Sequence, residues 1–70
     1  MKTKKEILEE SLDSAKEAML RIEITTEYLQ GQHAKTNDQH LLQEMAKLKA
    51  NENETKSWIE FLNEQLKKEK

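Results

Sequence analysis

The feature that most constrains the fold of this chain is a set of mainly apolar residues with heptad spacing. In the first half, residues spaced alternately by four and three form seam 1, which comprises Leu8, Leu12, Ala15, Met19, Ile22, Thr26 and Leu29. The second half repeats the spacing in seam 2, which comprises Leu41, Met45, Leu48, Glu52, Thr55, Ile59, Leu62 and Leu66. Such spacing places each set on one face of an α-helix. The pattern therefore predicts two helices that pack along their seams.

Local signals indicate where the first helix begins and ends. Thr3 and Glu6 have the spacing of a capping box, in which a hydroxyl accepts from the amide three residues later. Gly31 is the only glycine and comes just after the end of seam 1. Because glycine readily takes the left-handed conformation that ends many helices, we expect helix 1 to run from about residue 4 to about residue 30.

The second helix is preceded by a polar connector with several capping residues. Side chains that accept hydrogen bonds from the first amides of a helix are favoured at its start, and three occur in a row: Thr36, Asn37 and Asp38. Thr36 and Gln39 also have the spacing of a second capping box. We therefore expect a turn at residues 31–37 and helix 2 over about 38–67, within a single helical domain of residues 1–70.

The polar segment 51–55 is the weak point of the second helix. Its asparagines compete with helix hydrogen bonding, and Glu52 and Thr55 are polar members of seam 2. A break here would give a three-helix bundle. A continuous helix is favoured because the segment contains no Gly or Pro and preserves the heptad phase. We then expect it to pack at the level of Ala15 and Met19.

The short length of the chain predicts self-association. A domain of 70 residues buries only about 60% of its unfolded surface, so its core is thin. Small domains often gain stability from disulfides or oligomerisation, and the absence of cysteine leaves no disulfide. The expected fold is all-α: an antiparallel, coiled-coil-like two-helix hairpin that dimerises into a four-helix bundle.

Six large apolar residues lie off the two seams, where one hairpin cannot bury them. They are Leu20, Ile24, Tyr28, Leu42, Trp58 and Phe61. Exposed apolar surface marks interaction sites, and Trp and Tyr are frequent interface anchors. These residues are the predicted protein-interaction site. They form the core of a homodimer, a docking face for another protein of unknown identity, or the core of a three-helix monomer.

The sequence contains no pattern that indicates catalysis, a cofactor or a metal site. His33 and His40 flank the predicted turn, but a zinc site needs three or four well-placed ligands. The numerous carboxylates lie on the hydrophilic side of the helices, where no desolvation raises a pKa for acid–base chemistry. We therefore expect a non-enzymatic protein without a cofactor.

The lysines near the two termini support an alternative function. A hairpin brings six of them to the same end: Lys2, Lys4, Lys5, Lys67, Lys68 and Lys70. Such an end supports the alternative of a nucleic-acid-associated accessory protein, since lysines bind phosphate backbones. Interspersed glutamates and a formal net charge of −2 make nucleic acid the less favoured partner.

The favoured function is a small helical protein–protein interaction module: a regulator, adaptor or inhibitor that acts through an apolar helix face. No apolar run has the length of a membrane span or a signal-peptide core, so we expect a cytoplasmic protein that starts at its own Met1. Lysine supplies all but one of the 12 basic residues. This bias is typical of AT-rich genomes and indicates a small bacterial or phage protein.

Overall fold

The protein is a hairpin of two long α-helices that pack against each other. The computed structural model describes residues 1–69. Helix α1 spans Lys4–Thr36 and helix α2 spans Gln39–Lys68, with Asn37 and Asp38 between them. Residues 1–69 contain no β-strand. The predicted all-α two-helix hairpin is confirmed, and it measures 51 × 17 × 15 Å.

Helix α1 begins at the capping box predicted from Thr3 and Glu6. The Thr3 hydroxyl accepts a hydrogen bond from the Glu6 amide at 3.1 Å and lies 3.3 Å from the Glu6 carboxylate, to which it donates. The Thr3 hydroxyl thus provides a hydrogen-bond acceptor for the Glu6 amide, which has no partner within the first turn of the helix. The hydroxyl therefore fixes the start of α1 at Lys4.

The predicted end of α1 near residue 30 and the turn at residues 31–37 are wrong. The helix continues through Gly31 to Thr36, and the left-handed residue that ends it is Asn37, with φ of 54°. A glycine inside a helix costs only about 1 kcal/mol relative to alanine. His33 continues the spacing of seam 1 and is half-buried, so packing of the added turn offsets that cost.

Asp38, one of the three predicted capping residues, is the N-cap of α2. Its carboxylate accepts from the His40 amide at 2.9 Å. Thr36 instead belongs to the end of α1, where its hydroxyl donates to the Gln32 carbonyl at 2.9 Å. The predicted capping box of Thr36 and Gln39 is therefore wrong. Helix α2 begins at Gln39 and ends at Lys68, within one residue of its predicted bounds.

Helix α2 is continuous through the polar segment 51–55. The Thr55 hydroxyl donates to the Asn51 carbonyl at 2.8 Å, so this side chain bonds back along the same helix. The continuous helix was the favoured prediction, and the alternative three-helix bundle with a break at 51–55 is wrong for this hairpin. The unbroken heptad phase outweighs the weak helix propensity of the asparagines.

The two seams form the contact between the helices. Every member of seam 1 and seam 2 is buried or half-buried. Ala15 and Leu62 are the most buried, with 6% and 1% of their surface exposed, and no other residue of the described chain is classed as buried. The heptad spacing thus identified the inner face of both helices, and the core is as thin as the chain length predicts.

Two observations locate the register of the hairpin. The Lys4 ammonium lies 3.7 Å from the Glu69 carboxylate, which joins the two open ends. Counting inward along antiparallel helices from this pair brings Leu8 of seam 1 level with residues 65 and 66, the second of which is Leu66 of seam 2. Ala15 and Thr55 line one groove, so the polar segment lies near the level predicted for it.

Candidate interaction surface

All six predicted interaction residues are on the surface of the hairpin. Their side chains are 46 to 66% exposed: Leu20, Ile24, Tyr28, Leu42, Trp58 and Phe61. Ile7, which is 51% exposed, was missed by sequence reasoning. Its signal was weak, because it stands alone next to Leu8 of seam 1 and has no apolar neighbour one turn further along α1. These residues divide into two patches and one separate side chain.

The first patch lies on the back of α1 and is here called the outer stripe. It comprises Leu20, Ile24 and Tyr28, whose four-residue spacing places them along one side of the helix. That side is turned away from seam 1, since neighbouring seam residues Met19, Ile22 and Thr26 face α2 and are half-buried. The outer stripe is therefore an apolar surface that α2 does not cover.

The second patch, here called the aromatic face, comprises Ile7 from α1 with Trp58 and Phe61 from α2. The rings of Trp58 and Phe61 stack with centroids 5.6 Å apart and an angle of 13° between their planes. Ile7 precedes Ser11 by four residues and so shares its side of α1. Because Ser11 and Trp58 line a common groove, the three apolar residues lie on one side of the hairpin.

A groove of about 480 Å³ runs beside the aromatic pair on the aromatic face. It is lined by Glu10, Ser11, Ser14, Ala15, Ala18, Thr55 and Trp58. The groove exists because α1 contributes small side chains at this level, whereas α2 contributes a tryptophan. A smaller hollow of about 220 Å³ continues along α1 past Ser14 and Ala18, between Glu17 and Arg21. The face thus combines large aromatic groups with an adjacent depression.

The charged residues that border this groove are paired within the same chain. The Glu10 carboxylate lies 2.6 Å from the Lys2 ammonium, and the Glu17 carboxylate lies 2.8 Å from the Arg21 guanidinium. Exposed pairs of this kind stabilise the fold very little. Neither pair adds a net charge to the margin of the groove.

Leu42 is separate from both patches because it shares a polar side of α2 with two lysines. Lys49 and Lys56 follow it at intervals of seven residues, and their ammonium groups lie 3.4 and 3.0 Å from the carboxylate of Glu52. The hydrogen bond from Lys56, with a smaller contribution from Lys49, lowers the pKa of Glu52 below its ordinary value. The seam carboxylate is thereby kept ionised at the edge of the helix contact.

The remaining polar features are the two histidines and the lysine-rich end. No group of three metal-ligating side chains occurs among residues 1–69. His40 lies 3.8 Å from the exposed carboxylate of Glu44, and His33 is part of the helix contact. At the lysine-rich end, Lys2 and Lys4 pair with carboxylates, and Lys70 lies outside the described residues. Neither described helix is both long and apolar enough to cross a membrane.

Comparisons with known protein families, with curated proteins and with solved structures found no match for this chain. A function must therefore be inferred from the surface of the hairpin itself.

Proposed function

We propose that this protein is a non-enzymatic helical interaction module, a cytoplasmic regulator, adaptor or inhibitor whose exposed apolar side chains are covered by protein. Two hairpins associate into a four-helix bundle, and an apolar face left outside the bundle binds another protein. The observation that carries this proposal is the imbalance between exposed and buried apolar residues. In the described chain, Ala15 and Leu62 are buried, whereas Ile7 and the six predicted interaction residues are about half exposed or more.

The shape of the hairpin supports the same proposal. Its accessible surface is 5582 Å², whereas a compact monomer of 8.3 kDa exposes about 4,600 Å². Its radius of gyration is 16.0 Å, compared with about 11 Å for a compact domain of this length. One hairpin therefore leaves open a surface that monomeric proteins of its size normally close.

Binding to a foreign partner would use the geometry of a helix in a groove. Leu20, Ile24 and Tyr28 recur at intervals of four residues, the spacing with which amphipathic helices insert anchors into apolar grooves. The tyrosine adds a hydroxyl at the edge of the stripe, which suits a contact that is apolar at its centre and polar at its rim. Regulation would then consist of occupying the partner's surface.

Sedimentation equilibrium tests this proposal directly. The wild type is expected to be a dimer, and a variant carrying both Ile24→Glu and Phe61→Glu is expected to be a helical monomer. Circular dichroism of the variant checks that its helices remain. A wild type that is already a folded monomer at all concentrations would contradict the four-helix bundle.

The nucleic-acid alternative would use the lysine-rich end, where Lys2 and Lys4 contact carboxylates. It is tested by filter binding at low ionic strength, where contacts to phosphate are strongest. Salt-sensitive retention of nucleic acid would favour that alternative over the interaction module.

A further inference from the structure

We propose that the aromatic face of the hairpin is the surface that joins two copies of this chain, with Trp58 and Phe61 of each copy seated in the groove of the other. The inference rests on the proposed function. It extends that function by assigning the dimer contact to one of the two apolar patches. Leu20 and Ile24 of the outer stripe then remain outside the dimer, whereas Tyr28, which lies three heptads after Ile7, is turned toward the side of α1 that carries Ile7.

The aromatic face is complementary to itself. A two-fold interface needs a projection and a matching depression on the same surface, because each residue contact must occur twice. Here the stacked pair of Trp58 and Phe61 on α2 projects beside the groove that Ser11, Ser14 and Ala18 form on α1. Large groups facing small ones allow two helices to interdigitate. No residue of the outer stripe lines the groove or the smaller hollow.

The positions of these features determine the symmetry of the pair. The aromatic residue Trp58 and the small residues lie at the same level along the hairpin, since they line one groove. A two-fold axis parallel to the helices therefore places α2 of one copy over α1 of the other. The facing helices run antiparallel, as they do within the hairpin, so every neighbouring pair in the resulting four-helix bundle is antiparallel.

The charge of the face permits contact with an identical copy. A face with a net charge would repel its own copy, because like charges across an interface cost several kcal/mol. The carboxylates of Glu10 and Glu17 do not add to this cost, since Glu10 pairs with Lys2 and Glu17 pairs with Arg21. These pairs border the groove, where they can remain hydrated when the aromatic groups are covered.

The available area is sufficient for a stable dimer. Two separate hairpins expose about 11,200 Å², twice the 5582 Å² of one, whereas a compact protein of their combined mass exposes about 7,600 Å². The difference, about 3,600 Å², is the surface that association would bury if the dimer were as compact as a typical protein of its mass, and obligate homodimers typically bury about 2,000 Å² or more. Burial of little more than half of this surface would therefore reach the area that is typical of an obligate homodimer.

Single charge substitutions distinguish the two apolar patches. Phe61→Glu is expected to convert the dimer into a helical monomer in sedimentation equilibrium, whereas Ile24→Glu is expected to remain a dimer. Dissociation by Ile24→Glu with a dimeric Phe61→Glu would overturn the assignment of the face while leaving the bundle in place. A monomeric wild type would overturn both the assignment and the bundle, so the two failures are distinguishable.

Disulfide trapping tests the predicted contact without relying on dissociation. Because the chain has no cysteine, Ser14→Cys and Phe61→Cys chains can be mixed in urea, refolded together and mildly oxidised. We expect a cross-linked heterodimer at least several-fold more abundant than in the matched mixture of Ile24→Cys and Phe61→Cys chains. Equal cross-linking in the two mixtures would contradict the seating of Phe61 in the groove of the other copy.

Discussion

Gly31 carries a residue-scale prediction, because it lies inside α1 and has no positive φ. A Cβ added there meets no atom within 4 Å. Gly31→Ala should therefore raise the free energy of unfolding by about 0.5–1 kcal/mol, the difference in helix propensity. Urea unfolding followed by circular dichroism measures the change.

Asn37 is the matched control for this substitution. It has the left-handed conformation that ends α1, so Asn37→Ala should lower the free energy of unfolding by about 1 kcal/mol. Loss of stability in Gly31→Ala and none in Asn37→Ala would mean that the helix ends at the glycine after all.

Glu52 gives the hairpin a pH dependence whose sign follows from its lowered pKa. The carboxylate is bound to Lys56 and Lys49 only in the folded protein, so its contribution to stability is present above its ordinary pKa of 4.5. That contribution disappears as the pH falls through the lowered folded pKa. Urea unfolding between pH 7 and pH 3 should show a smaller loss of stability for Glu52→Gln than for the wild type. Identical pH profiles would show that the lysines do not stabilise this carboxylate.

At the scale of the helices, the contrast between seam and surface leucines on α2 is testable. Leu62 is 1% exposed and Leu42 is 46% exposed. Leu62→Ala should lower the free energy of unfolding by about 2–4 kcal/mol, because it removes buried methyl groups and leaves a cavity. Leu42→Ala, the same chemical change on the same helix, should alter it by less than about 0.5–1 kcal/mol. Similar losses in the two variants would contradict the identification of seam 2 as the core.

The seams and the continuity of α2 could be predicted from the sequence because heptad spacing determines which face of a helix is inward. Heptad spacing is recognised over many residues, so the polar seam members Glu52 and Thr55 did not change the predicted inward face of α2. The start of α1 was equally predictable, since the Thr3 hydroxyl needs only the amide of Glu6. These features depend on local spacing and require no knowledge of the partner surface.

The end of α1 could not be predicted because two local signals competed there. Gly31 permits a helix to stop but does not require it, and the half-buried His33 extends the contact with α2. The grouping of Trp58 with Ile7 and the groove was also inaccessible from spacing alone. It depends on the register of the two helices, which places the small residues of α1 beside the tryptophan.

At the scale of the whole molecule, the hairpin is an elongated body with a thin core and two apolar patches on its outside. Its exposed surface of 5582 Å² exceeds that of a compact monomer by about 1,000 Å². The central claim is that a second copy closes this surface, so that association stabilises the folded hairpin. Association of the folded chain makes its stability depend on protein concentration.

Urea unfolding at two protein concentrations a hundred-fold apart, followed by helical circular dichroism and by the fluorescence of Trp58, tests the central claim most directly. A folded dimer that dissociates on unfolding gains about 2.7 kcal/mol across that range. The urea midpoint should then rise by about 1 M, given a slope of about 2–3 kcal/mol per M. Both signals are expected to shift together. A midpoint that does not change with concentration would contradict the claim that a second copy completes the core.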